Sequence, residues 1–106
     1  KNVFNRVGEI GDGWIGFFKT MNEGLKIINS IKSSAETNKR NSKGIGIEVP
    51  ISIPINFNPS DISKKIVGLD KIGVTHISIN TMNMGLKTSS DHIKIIKKFK
   101  KIIDNL

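Results

Sequence analysis

Residues 45–57 read Ile45-Gly46-Ile47-Glu48-Val49-Pro50-Ile51-Ser52-Ile53-Pro54-Ile55-Asn56-Phe57. Every odd position is apolar, and the even ones carry Gly, Glu, Pro, Ser, Pro and Asn. A period of two marks an extended strand, because successive side chains project to opposite faces of a sheet. The stretch therefore predicts a strand with one face in a core. Proline has no N–H for a ladder, so pairing is expected up to about Pro50, with an extended excursion beyond it.

The flanks repeat the theme. Pro59-Ser60-Asp61 opens a helix in which Ile62, Ile66 and Leu69 recur at i, i+4, i+7. Gly73 ends that helix, and Val74 to Asn80 follows as a strand. Thr75, Ile77 and Ile79 lie on one face of it, His76, Ser78 and Asn80 on the other. Thr88-x-x-Asp91 has the form of a capping box and starts the last helix. Its apolar stripe is Ile95, Ile96, Phe99, Ile102, Ile103 and Leu106, with Lys94, Lys97, Lys98, Lys100 and Lys101 mostly outside it.

Towards the N-terminus, Val3, Val7 and Ile10 share one face of a short helix that Gly11-Asp12-Gly13 stops. Trp14 to Phe18 is short, apolar and aromatic, the pattern of a buried strand. Thr20-x-x-Glu23 is a second capping-box pattern, opening a helix with Leu25, Ile28 and Ile31 on its inner side. That helix is expected to fray from Ser33, leaving a polar loop to Ser42.

The 106 residues fit one ordinary domain or one piece of a larger one. No Cys is present, which excludes disulfides, thiolate metal sites and cysteine nucleophiles and fits a reducing, cytoplasmic setting. Ile (20), Lys (15) and Asn (11) dominate while Ala occurs once, a bias that A/T-rich coding explains. The net charge of +8 would attract nucleic acid, but only Arg6 and Arg40 are arginines and Tyr is absent. No aromatic residues interleave with the lysine runs, so a solvated lysine coat is the plainer reading and nucleic acid is not expected as a partner. No apolar run approaches the ~20 residues of a membrane span, and no membrane partner is expected.

Helix and strand alternate as α-β-α-β-α-β-α, which argues for α/β architecture with a parallel sheet and helical crossovers. Three strands leave two open edges, and a complete eight-stranded barrel needs ~250 residues. A βαβ fold opens on a strand, yet here a helix comes first. The chain is therefore expected to be truncated at its N-terminus.

Arg6-Val7-Gly8-Glu9-Ile10-Gly11-Asp12-Gly13-Trp14-Ile15 resembles the R-A-A-x-x-G-D-G-W-I segment of the luciferase-like monooxygenase family. Gly73-Val74-Thr75-His76-Ile77-Ser78-Ile79-Asn80-Thr81-Met82 is similar to that family's last barrel strand. Gly85-Leu86, Asp91-His92-Ile93 and Phe99 are similar to the lead into its final helix. The matches stand in the family's order and rough spacing, while Met21 to Asp61 agrees in pattern only. Gly8 departs from the usual Ala, and Glu9 from a common basic residue.

The resemblance implies that residues 1–106 are the C-terminal portion, about three β/α units, of a (β/α)8 TIM barrel. It implies FMN or a deazaflavin coenzyme, hydride transfer or oxygenation of a small organic substrate, and a homo-oligomer. The family's Gly-Gly phosphate segment would lie before Lys1, so the chain by itself is expected to be inactive.

Barrel chemistry sits at the C-terminal ends of strands. That rule selects three places: after Trp14–Phe18, around Ser52 to Asn56, and Asn80-Thr81-Met82. The cofactor-binding residues expected from the resemblance and this rule are Asp12, Gly13, Trp14, Asn80 and Thr81. Each also has a plainer role: Asp12 and Gly13 suit a turn, Trp14 suits a core, and Asn80-Thr81 suits a polar strand end. His76 could act as an acid or base near neutral pH, but no partner set surrounds it in sequence. His92 reads as surface or capping, and the two His do not make a zinc motif. Two other functions compete: a stand-alone basic binding module, and a half-barrel that assembles with itself.

Overall fold

The computed structural model describes residues 2–106. Its elements run α1 (Asn2–Ile10), β1 (Gly13–Ile15), α2 (Met21–Thr37), a 3-10 turn (Ser42–Gly44), β2 (Gly46–Ser52), α3 (Pro59–Ile72), β3 (His76–Asn80) and α4 (Ser89–Asp104). The three strands form one open parallel sheet in the order β1-β2-β3. Each strand pairs with its neighbour in sequence, and a helix makes each crossover.

The odd positions of residues 45–53 are all buried, at 1–5% exposure. They meet Ile28, Ile31 and Ala35 of α2, Ile62 and Leu69 of α3 and Phe99 of α4 in one cluster. The helices therefore lie on a single face of the sheet. The register places Gly13, Ile15, Glu48, Pro50, Ser52, His76, Ser78 and Asn80 on the other face, which no element covers among the described residues.

Pairing runs past Pro50 to Ser52. Ile47 and Ile53 use their backbone groups towards β3, through Thr75 and Asn80, while Gly46 and Glu48 bond to Asp12 and Gly16 on the β1 side. Pro50 shares the parity of Gly46 and Glu48, so its nitrogen faces the β1 side at a level where β1 has already ended. A proline in the central strand costs no ladder bond there.

Several expectations are corrected. α2 does not fray at Ser33 but continues to Thr37, because Ala35 is wholly buried and holds its last turns against the core. Leu25 is 40% exposed and lies off the packed stripe. In α1, Val3 and Ile10 face solvent, and the inner face is Phe4, Val7 and Gly8. β1 is short and only partly buried, with Ile15 and Phe17 both exposed. β3 begins at His76, because Thr75 spends its hydroxyl on the backbone of Ile47 at the sheet's end.

Helix ends agree with the capping patterns. The hydroxyls of Thr20 and Thr88 accept from the backbone N–H of Glu23 (3.1 Å) and Asp91 (3.2 Å). Asn58 caps α3, with Pro59 at its first position, and Gly73 closes it at φ 106, a left-handed geometry that favours glycine. The C-terminus of α1 is closed from outside the helix. The Arg40 guanidinium donates to the carbonyls of Gly8 and Gly11, both at 2.7 Å, and to Val7 at 3.4 Å. A cation at a helix C-terminus also meets the negative end of the helix dipole.

The accessible surface is 7316 Å², against about 5,900 Å² for a compact monomer of this size. The radius of gyration is 15.7 Å, against about 13 Å. This sheet-and-helix layer exposes more surface than a closed domain of equal length.

Candidate functional site at the C-terminal edge of the sheet

In open parallel α/β sheets, ligands bind beyond the carboxyl ends of the strands, where loops and helix starts converge. Here that edge holds the segments after Ile15, Ser52 and Asn80. Each presents one large apolar side chain to solvent: Phe17 (71% exposed), Ile55 (65%) and Met82 (70%). The register sets Ile15 level with Glu48 and Ser52 level with Asn80, so Ile55 and Met82 follow paired strand ends while Phe17 stands nearer Pro50.

Polar groups come from β3 and α4. Asn80 ends β3 and turns its side-chain oxygen back to accept from the Met82 N–H at 2.8 Å, which leaves its amide NH₂ for other partners. Its backbone carbonyl accepts from Ile53 N–H, fixing the strand end against β2. The Thr81 hydroxyl lies 2.7 Å from His92 Nδ1, and both residues are half-buried. Asn83 adopts φ 63, and Met84 is only 5% exposed, so the loop carrying Thr81 is anchored in the core.

The five expected cofactor contacts fall in three places. Asn80 and Thr81 stand at this edge. Asp12 and Gly13 stand at the opposite edge, since Gly13 pairs with Gly46 while Asn80 pairs with Ser52. The six-residue step along β2 spans roughly 20 Å, so the two groups do not meet in one site. Asp12 acts through its backbone carbonyl, which accepts from Gly46 N–H at 3.1 Å. Trp14 lies on the helix-facing side of β1 and packs edge-on against Phe4, with ring centroids 5.7 Å apart at 79°. Its ring is engaged in the core layer.

The uncovered sheet face carries a second polar group. Ser78 Oγ donates to Glu48 Oε2 at 3.2 Å, and His76 stands opposite Glu48 in register. His76 Nδ1 lies 2.8 Å from Thr75 Oγ1. A hydroxyl therefore meets the half-buried carboxylate of Glu48. Among the described residues the one ion pair is Lys100–Asp104, on the solvent side of α4. No group of three or more His, Asp or Glu among them is placed to hold a metal ion.

Asn80 offers amide donors and Thr81 a hydroxyl, groups that can hydrogen-bond a polar organic ligand. Residue reading missed His92 and Met84. His92 looks like a helix-start surface residue until the loop folds Thr81 onto it, and its position four residues after the Thr88 cap was the available signal. Met84 sits among turn formers and has no periodic neighbour to mark it as core.

No family model matches the chain, and no curated protein matches it. Among the described residues no helix is long and apolar enough to cross a membrane.

Proposed function

We propose that the chain is the C-terminal three-unit arc of a (β/α)8 barrel, part of a luciferase-like oxidoreductase or monooxygenase that uses FMN or a deazaflavin coenzyme. Its substrate is a small organic molecule, and the arc is inactive alone. The observation that carries this reading is the sheet itself: three parallel strands in sequence order, helices on one face, the other face bare, and an excess of exposed surface. In a barrel the bare face becomes the packed interior, and the free edges of β1 and β3 pair with further strands.

A bound flavin supplies the hydride or oxygen chemistry. The chain's own residues contribute binding and shielding. Asn80 and Thr81 hydrogen-bond a polar edge of the ligand, while Phe17, Ile55 and Met82 exclude water from its apolar part.

The test is a titration of FMN and of a deazaflavin coenzyme, read by flavin fluorescence, into the full-length protein encoded by the reading frame that contains this chain and into the 106-residue chain alone. Saturable binding to the encoded protein and none to the chain is expected. A coding frame without β/α units before Lys1, or an encoded protein that binds neither coenzyme, overturns the proposal.

A further inference from the structure

Between the start of α2, the middle of α3 and strand β2 lies an open cavity of about 370 Å³. Small-molecule sites span about 300–1,000 Å³, so the space suits a compact ligand. Its floor is Val49 and Leu69, both buried, and Phe17, Phe18 and Met21 form its sides. These walls come from the consecutive elements β1 to α3, so the cavity is complete without any further strand.

Two glycines keep the space open. A Cβ on Gly24 would lie 2.5 Å from the Phe18 ring, and one on Gly68 would lie 3.1 Å from the Met21 methyl carbon. Phe18 is thus seated on the backbone of α2, and Met21 reaches across to α3. The two side chains long enough to fill the cavity are folded against helices instead.

The mouth is cationic. Lys19, Lys64 and Lys65 line it, all exposed. The one ion pair among the described residues is Lys100–Asp104, so none of these three ammonium groups has a carboxylate partner there. Glu23, in the first turn of α2, spends its carboxylate on the Lys19 backbone N–H at 3.1 Å. Cations around an apolar floor repel a cationic ligand. A neutral ligand makes no use of the charge, and a bare inorganic anion makes no use of the floor. The complement is an apolar body that ends in an anionic head. Ammonium groups act as compact point charges and suit either a carboxylate or a phosphate.

We propose that this cavity binds a small organic anion, with its apolar body on Val49, Leu69 and Phe18 and its head among Lys19, Lys64 and Lys65. The site does not rest on the flavin reading above. It lies on the helix-covered side of the sheet, whereas Asn80 belongs to the bare face.

The experiment is calorimetric titration of the full-length protein encoded by the reading frame that contains this chain. The probes are decanoate, decyl phosphate, decanol and inorganic phosphate, each below its aggregation concentration. Saturable binding of decanoate, decyl phosphate or both is expected, and the stronger of the two identifies the head group. Decanol and inorganic phosphate are expected to bind at least about tenfold more weakly. Lys64→Ala and Lys65→Ala are each expected to weaken anion binding about twofold to fivefold, the scale of one exposed charge contact. Lys97→Ala, on α4 and outside the cavity, is expected to leave it unchanged. Met21→Leu shortens one wall without touching the charge and is expected to weaken decanoate and decanol alike. Failure of both anions to bind overturns the proposal, as does decanol binding as tightly as decanoate. An equal loss from Lys97→Ala and Lys64→Ala overturns it too, since net charge alone would then account for the attraction. Failure to bind a flavin strikes only the function proposed above.

Discussion

Gly8 of α1 lies against the backbone of Ile31 in α2: a Cβ on Gly8 would lie 2.5 Å from the Ile31 carbonyl oxygen and 2.7 Å from the Ala35 nitrogen. Backbone atoms cannot yield as a side-chain tip can, so the helices must part to admit even a methyl group. Ala ordinarily gains about 1 kcal/mol over Gly within a helix. Overpacking against backbone costs about 1–3 kcal/mol and outweighs that gain here. Gly8→Ala is expected to lower the midpoint of urea unfolding, and Gly8→Val to lower it further. A stabilised Gly8→Ala variant would show that this helix contact is looser than described.

Arg40 holds the end of α1 with three carbonyl acceptors. Arg40→Ala is expected to cost about 2 kcal/mol, the scale of hydrogen bonds to a charged donor. Lys is expected to recover less than half, because an ammonium cannot span separated carbonyls as the planar guanidinium does. Denaturant melts check the magnitude, and amide exchange at Val7 to Gly11 checks the location. Equal stability of the Lys variant would count against the fork geometry.

Thr20 and Thr88 cap different helices and share no partner. Thr20→Ala and Thr88→Ala are each expected to cost about 1 kcal/mol and to add in the double variant. Exchange rates at the first-turn amides of each helix give the local readout.

Pro50 allows a prediction that runs against its position in the central strand. Pro50→Val restores an N–H that meets no strand, so its effect is expected to stay within about 1 kcal/mol. Ile51→Pro sits on the parity that bonds to β3 and is expected to cost about 3 kcal/mol or more, enough to disrupt the sheet. Circular dichroism melts of the two variants test the contrast.

The exposed Ile15 and Ile96 test whether this arc is built to be covered. In the 106-residue chain, Ile15→Ser and Ile96→Ser are expected to leave the melting temperature nearly unchanged and to reduce self-association in light scattering. If the proposed barrel covers them, the same changes in the full-length protein are expected to destabilise by about 1–3 kcal/mol each. Equal, small effects in both settings would remove the case for a covering partner.

How much of this was legible in the residues depends on what sets each feature. Alternation over 45–57 placed β2 and its buried face, since period two is a local property that survives any tertiary context. The threonine caps at 20 and 88 were equally legible, because the side chain and the amide it serves are three residues apart. The inner face of α1 was not: Val3 and Ile10 are more apolar than Gly8, yet the close approach to α2 selects the smallest residue. Pro50 looked like the end of pairing because the extent of β1 cannot be read from β2. At the candidate site Asn80 and Thr81 were legible from the strand-end rule, while His92 needed the fold of the loop. Asp12 and Gly13, named beside them, lie at the far end of the strands, because the glycine turn precedes β1 whereas Asn80 closes β3.

Pairing each strand only with the next one in sequence has a temporal consequence. Partners lie roughly thirty residues apart, so ring closure between them is short and fast compared with a fold that joins distant ends. As the polypeptide leaves the ribosome, every arriving strand finds its template already laid down, and assembly can advance like a zip from one unit to the next. Phe99, carried on α4, then packs onto strands that have already paired and seals this side of the layer.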